Sequence, residues 1–141
     1  MKQIFLMFAA LVFSAQLALS DAAVTKGLNN LRAQKGLSKL SVSKPLQRAA
    51  EDHAREMYTK GYFDHRGANG STVGSRTKHA GYRWCIVAEN IAKGQKSAAE
   101  VMSVWTKSPG HLKNMALRQA RDVGVAHVGD VWVMLLAAKR C

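Results

Sequence analysis

Val131-Trp132-Val133-Met134-Leu135-Leu136 is a nearly continuous apolar run close to the end of the chain. A strand with one wet face alternates apolar and polar residues, whereas a strand this apolar is covered on both faces. The run predicts a central strand in a sheet with helices on both sides. Gly129-Asp130 stands directly before it and has the composition of a two-residue hairpin turn. Asp122 to Val128 and Val131 to Ala138 are then the two strands of that hairpin.

Working back along the chain, Ser97 is followed three residues later by Glu100, and Val101, Val104 and Trp105 fall at helical spacing. That is the pattern of a capping box opening a helix. Trp84 to Ile91, β-branched and apolar, reads as a strand. Asp64 to Ser75 is polar and glycine-rich, a loop leading into a short helix before Gly81. Ser43 can cap a helix with the stripe Leu46, Ala49, Ala50, His53, Ala54 and Met57, which Gly61 ends. Val24, Leu28 and Leu31 predict a first helix that stops at Gly36.

Lys2 precedes an apolar run from Ile4 to Phe13, and Ala18-Leu19-Ser20 offers a small-residue cleavage site. Residues 1–20 read as a secretory signal peptide and residues 21–141 as one domain of about 120 residues. Ser14 and Gln16 interrupt the run, which falls short of the roughly 20 apolar residues a membrane anchor needs. The expectation is a secreted or periplasmic protein with no transmembrane segment in the mature chain.

The chain has 21 Lys and Arg against 9 Asp and Glu, a net charge of +12. Export argues against nucleic acid as a partner. Anionic lipid, cell wall polymer or peptide are the partners expected instead. The basic residues are scattered (Lys26, Arg32, Lys35, Lys39 and Lys44 among them), which reads as a solvated surface. The chain is expected to be a monomer. Its two cysteines, Cys85 and Cys141, are expected to form an intrachain disulfide in an oxidising compartment. It would close a loop of about 57 residues and contribute ~4 kcal/mol at most. The rival is a bridge between chains through Cys141, the last residue.

Three strings carry candidate chemistry. In Ser108-Pro109-Gly110-His111, Ser108 can be a helix N-cap and Pro109 suits the first helical position. His111 then lies near the positive end of the helix, where a neutral ring is favoured over imidazolium. The other strings are Tyr62-Phe63-Asp64-His65 and Ala88-Glu89-Asn90-Ile91. No local motif links the three.

These strings resemble the CAP superfamily: cysteine-rich secretory proteins, antigen 5 and pathogenesis-related type 1 proteins. The similarity is to the short bacterial secreted branch. Six ordered strings carry it. They are Leu28 to Leu37, Ala49 to Met57, Gly61 to His65, Gly81 to Trp84, Ala88 to Ala92, and Trp105 through Ser108-Pro109-Gly110-His111 to Asn114. The resemblance implies an α+β fold, a three-layer α-β-α sandwich with a mixed, mostly antiparallel sheet. It also implies a cleft lined by two histidines and two glutamates. His65 and His111 match the histidines and Glu89 the first glutamate. Ser108 stands where the second glutamate would be, so the set is incomplete.

Two neutral imidazoles, His65 and His111, can take Zn²⁺ or another divalent cation, with Glu89 orienting a ring or acting as a base. No cofactor is required by this reading. The bland alternative is that the three side chains brace their loops. The function expected is a binding or interaction module whose cleft takes a lipid, peptide, wall fragment or divalent cation. The alternative is a metal-assisted hydrolase, a peptidase using His65, Glu89 and His111 as catalytic residues. No serine sits in a nucleophile elbow. His53 reads as a core histidine, Trp84 and Trp105 as core anchors, and Asn90 and Asn114 as side chains bonded to loop backbone. His79 and His127 read as surface or strand positions without partners.

Overall fold

The computed structural model describes residue 19 and residues 21–141. The expected signal peptide, residues 1–20, lies almost wholly outside the described residues. Helix α1 covers residues 21–34. Strand β1 (Ser41–Val42), helix α2 (Lys44–Lys60) and helix α3 (Val73–His79) follow. Next come strand β2 (Ile86–Lys93) and helices α4 (Ala98–Lys107) and α5 (Pro109–Met115). Strands β3 (Asp122–Val128) and β4 (Val131–Ala138) form the hairpin read from the sequence.

β4 is buried at all 8 of its positions. The sheet order is β1-β3-β4-β2, so β4 is flanked on both sides. It is antiparallel to β2 and to β3, while β1 joins β3 in parallel. Alternation along β4 divides the core in two. Trp132, Met134 and Leu136 pack with Leu28 of α1, Val101 and Trp105 of α4 and Met115 of α5. Val131, Val133, Leu135 and Ala137 pack with Leu46, Ala50, Ala54 and Met57 of α2. The result is the α-β-α sandwich with a mixed sheet.

Local chemistry sets the helix ends. Ser43 Oγ accepts from the Leu46 amide at 3.5 Å, and Gly61 ends α2 in the left-handed region at φ 69°. Ser97 Oγ accepts from the Glu100 amide at 3.1 Å. Glu100 answers to the amide of Lys96, at 2.8 Å, rather than to that of Ser97. The expected capping box is therefore shifted by one residue.

Helix α2 lies directly on β3 because Gly124 has no side chain. A Cβ there would stand 2.3 Å from the Leu46 carbonyl carbon, and backbone cannot swing aside. Gly124→Ala is expected to cost about 1–3 kcal/mol through overpacking, measured as a lower urea midpoint at unchanged slope.

Three features depart from the sequence reading. The strand expected from Trp84 to Ile91 begins at Ile86 and runs to Lys93. Trp84 instead packs on α3, donating its indole N–H to the Gly74 carbonyl at 2.8 Å. Arg32, read as a surface cation, is fully buried. It donates to the carbonyls of Ser38, Met115 and Leu117, joining α1 to the end of α5. Burial, and then the charge of Arg121, lowers its pKa. Strand β1 was not foreseen.

Cys85 and Cys141 form a disulfide within the chain, with Cα atoms 5.9 Å apart. Among the described residues no helix is long and apolar enough to cross a membrane.

Candidate functional site

Glu89 organises the site. It lies on β2 opposite Leu135, with its side chain only 3 % exposed. A buried carboxylate needs charged or hydrogen-bonding partners. Its Oε1 accepts from His65 Nδ1 at 2.8 Å, and its Oε2 accepts from Arg76 Nη2 at 2.8 Å. Arg76 also donates from Nη1 to the Ser71 carbonyl at 3.0 Å. Carboxylate, imidazole and guanidinium thus join β2, α3 and the loop after α2.

A carboxylate can only accept, so His65 Nδ1 carries the proton and Nε2 is the ring's remaining nitrogen. The hydrogen bond to Glu89 raises the His65 pKa, against partial burial that lowers it. The His65 side chain is 59 % exposed. The site therefore presents a half-open imidazole held at Nδ1 by a buried carboxylate.

His53, read as a core histidine, is buried but belongs to this cluster. Its Nε2 donates to the Asp64 carbonyl at 3.0 Å and stands 3.9 Å from Glu89 Oε1. The first contact is a hydrogen bond that fixes the backbone beside His65. The second is too long for one. Burial dominates and lowers the His53 pKa.

His111 lies in the first turn of α5. Asn90 Nδ2 donates to its carbonyl at 3.1 Å. Asn114 Nδ2 donates to the Glu89 carbonyl at 3.2 Å and to Asn90 Oδ1 at 2.9 Å. The two asparagines stitch β2 to α5, as the sequence suggested. Burial lowers the His111 pKa, and the nearby charge of His65 lowers it further. The expected role of Ser108 needs correction: it is the N-cap position, but its side chain makes no cap hydrogen bond. Trp105 anchors the preceding helix, fully buried and donating to the Ile91 carbonyl at 3.2 Å.

The structure therefore brings the His65 and Glu89 side chains into contact and ties His111 to β2 through its backbone carbonyl. It does not supply a second carboxylate at Ser108. Sequence reading missed Arg76. The available signal was indirect: a glutamate on a mostly apolar strand needs a cation. His79 is exposed, and His127 stacks on Trp132 with ring centroids 3.7 Å apart.

Residues 26–133 match the model of the CAP family, described as the cysteine-rich secretory protein family. The chain belongs to that family. This CAP domain is 33% identical over 113 residues to YkwD of Bacillus subtilis (strain 168), an uncharacterized protein. The match covers 79% of this chain and 44% of YkwD. In fold, the CAP domain is similar to an extracellular protein of Bacillus anthracis that contains an SCP domain, with TM-score 0.85 and 22% identity. That likeness covers 87% of this chain and 41% of the other. It is also similar to an outer surface protein of Borrelia burgdorferi, with TM-score 0.77 and 19% identity over 82% of this chain and 90% of that one. The chain spans less than half the length of the two Bacillus proteins.

His65 Nε2 and the His111 ring are the nitrogens this CAP domain would offer a metal. Among the described residues no group of three or more His, Cys, Asp or Glu is placed to hold one. That falls short of the four protein ligands of a structural zinc site and the three of a catalytic one.

The histidines give stability a defined pH dependence. His53, His111 and His127 have folded pKa values below the reference of 6.5. The unfolded chain then binds more protons just below pH 6.5, so acidification through that window lowers stability. His65 has the opposite sign. Its contribution is complete below pH 6.5 and is lost as pH rises through its raised folded value. His65→Gln is expected to lessen the loss of stability, followed by thermal unfolding, as pH rises above 6.5. An unchanged alkaline side in that variant would refute the assignment.

Proposed function

We propose that this chain is an exported binding module of the bacterial envelope, holding an acidic group of an envelope peptide or polymer against His65. One observation carries the reading. Buried Glu89 accepts from Nδ1 of the half-open His65 ring at 2.8 Å, which raises the ring's pKa and favours its charged form. A charged donor facing outward suits a carboxylate or phosphate oxygen. The net charge of +12 would draw such polyanions to the surface. The extracellular and outer-surface neighbours support the placement.

Glu89 has both oxygens engaged, by His65 and by Arg76. It is a fixed counter-ion more than a base free to take a proton from water, which favours binding over hydrolysis. A divalent cation such as Zn²⁺ would meet two imidazoles, and water would have to complete its shell.

The test is a titration with a polyanionic wall polymer and with poly-glutamate at fixed ionic strength. His65→Gln is expected to weaken binding about tenfold, the size of a charged hydrogen bond. Affinity in the native chain is expected to fall as pH rises through the His65 transition. Equal affinity of the variant would reject His65 as the contact and leave only diffuse surface charge. Chelator-sensitive peptide turnover that disappears in His111→Ala would instead establish the hydrolase.

A further inference from the structure

At one end of the sheet β2 and β3 begin and β4 ends, with Ile86 opposite Ala138 and Asp122 opposite Ala137. The disulfide from Cys85 to Cys141 closes the same end. Cations that lie far apart in the sequence meet there.

Contacts fix their places. Arg48 of α2 donates from Nη2 to the Ala80 carbonyl at 3.1 Å. Lys78 Nζ lies over the Trp84 ring, 5.1 Å from its centroid, and Lys139 Nζ lies over the Tyr82 ring at 5.4 Å. The bridge joins the segments that carry Arg83 and Arg140. The Arg121 amide donates to the Ala137 carbonyl at 2.9 Å, which sets Arg121 beside the end of β4. All six residues are exposed. Among the described residues none of the six enters an ion pair.

Anions to match them are missing. The chain has no Asp or Glu from His65 to Ala88 or from Val131 to Cys141. Asp122, at this end itself, is engaged, since its Oδ2 accepts from the Tyr82 hydroxyl at 2.6 Å. Asp52 lies one turn beyond Arg48 on α2, yet the two form no ion pair. Like charges gathered on one face repel one another, and a polyanion laid across them relieves that repulsion. The rings under Lys78 and Lys139 hold two of the ammonium groups in place beforehand, which reduces the ordering cost of binding.

Two features narrow the partner. Four of the six cations are arginines, whose planar forks match the paired oxygens of a phosphate. A face that docks on a bilayer adds aromatic or aliphatic side chains that enter the lipid. Here Tyr82 is 1 % exposed, and Trp84 donates its indole N–H to the Gly74 carbonyl while Lys78 covers its ring. These aromatics are platforms for cations, and what the face offers outward is charge.

We propose that this end of the sheet docks a linear polymer with phosphodiester charges, its phosphates lying along the arginines and lysines. The proposal uses none of the residues around His65 and goes beyond the reading given for them.

The test is a titration of the full chain with poly(glycerol phosphate) above the His65 transition, where arginine and lysine still carry their charge. Saturable binding is expected, weakening as salt rises. Arg83→Gln, Lys139→Gln and Arg140→Gln combined in one chain should weaken it at least about tenfold and lower its salt slope by about 2. Lys93→Gln, Lys96→Gln and Lys107→Gln combined remove equal charge from other exposed positions, and should cost less than about threefold because salt screens distant charge. A circular dichroism melt establishes that both variants are folded. No saturable binding, equal losses in the two variants, or equal affinity for poly-glutamate would each overturn the proposal. Tighter binding to phosphatidylglycerol vesicles at equal phosphate would overturn it in favour of a membrane contact. His65→Gln should leave this binding unchanged above its transition, so the two readings fail separately.

Discussion

Glu89→Ala is expected to lower stability by about 3–5 kcal/mol, the usual cost of removing one partner from a buried ion pair. The carboxylate is 3 % exposed and Arg76 is 12 % exposed, so neither has much water to fall back on. Removing Glu89 leaves a guanidinium facing an apolar strand and frees His65 from the carboxylate that accepts from its Nδ1. Glu89→Gln keeps the volume and one acceptor, and should lose less. Urea unfolding of the three proteins checks the ranking. A loss below about 1 kcal/mol for the alanine variant, the scale of an exposed pair, would mean that solvent replaces the carboxylate. The same variant should return the His65 titration toward 6.5, visible by NMR of the ring protons.

The second large effect is expected from the disulfide. Replacing Cys85 and Cys141 by serine should cost about 4 kcal/mol, because the bridge spans 56 residues and restricts the unfolded chain strongly. That is a large share of a typical 5–15 kcal/mol domain stability, roughly speaking. The bridge also pins the point where β2 and β4 meet. Ile86 pairs with Ala138, and the Cys85 amide donates to the Ala138 carbonyl at 2.7 Å. The serine pair should therefore fray at this corner first, with faster amide exchange at residues 86 and 138. Unfolding with and without reductant measures the effect in the native chain. Equal midpoints would remove the bridge from the account of stability.

Most of the architecture was legible because local and long-range demands coincide in it. Gly129-Asp130 between two apolar strands admits little but a hairpin, and its bounds were read correctly. Ser43, Gly61 and the stripe between them fixed α2. Trp105 and the two asparagines also took their expected places. What escaped has a common cause, which is that distant backbone decides it. Arg32 looks like any helix-surface cation until the carbonyls of Met115 and Leu117, 83 and 85 residues away, are brought to it. β1 has only 2 residues and exists through its parallel pairing with β3. Arg76 lies in a segment with no strong pattern, and only the tertiary fold brings it to Glu89. His111 was read as neutral because of a helix end, and the sequence could not show that burial and the neighbouring His65 lower its pKa as well.

The sheet order also has a consequence for how the molecule comes into being. β2 and β3 never touch as neighbours, since each pairs with β4. A nascent polypeptide that has emerged only as far as residue 130 therefore holds only the short β1–β3 pair, with β2 joined to neither. α2 can already lie on β3, but the eight buried positions of β4 that separate the two halves of the core are missing. The elements before residue 131 must wait for β4 before the four-stranded sheet can close.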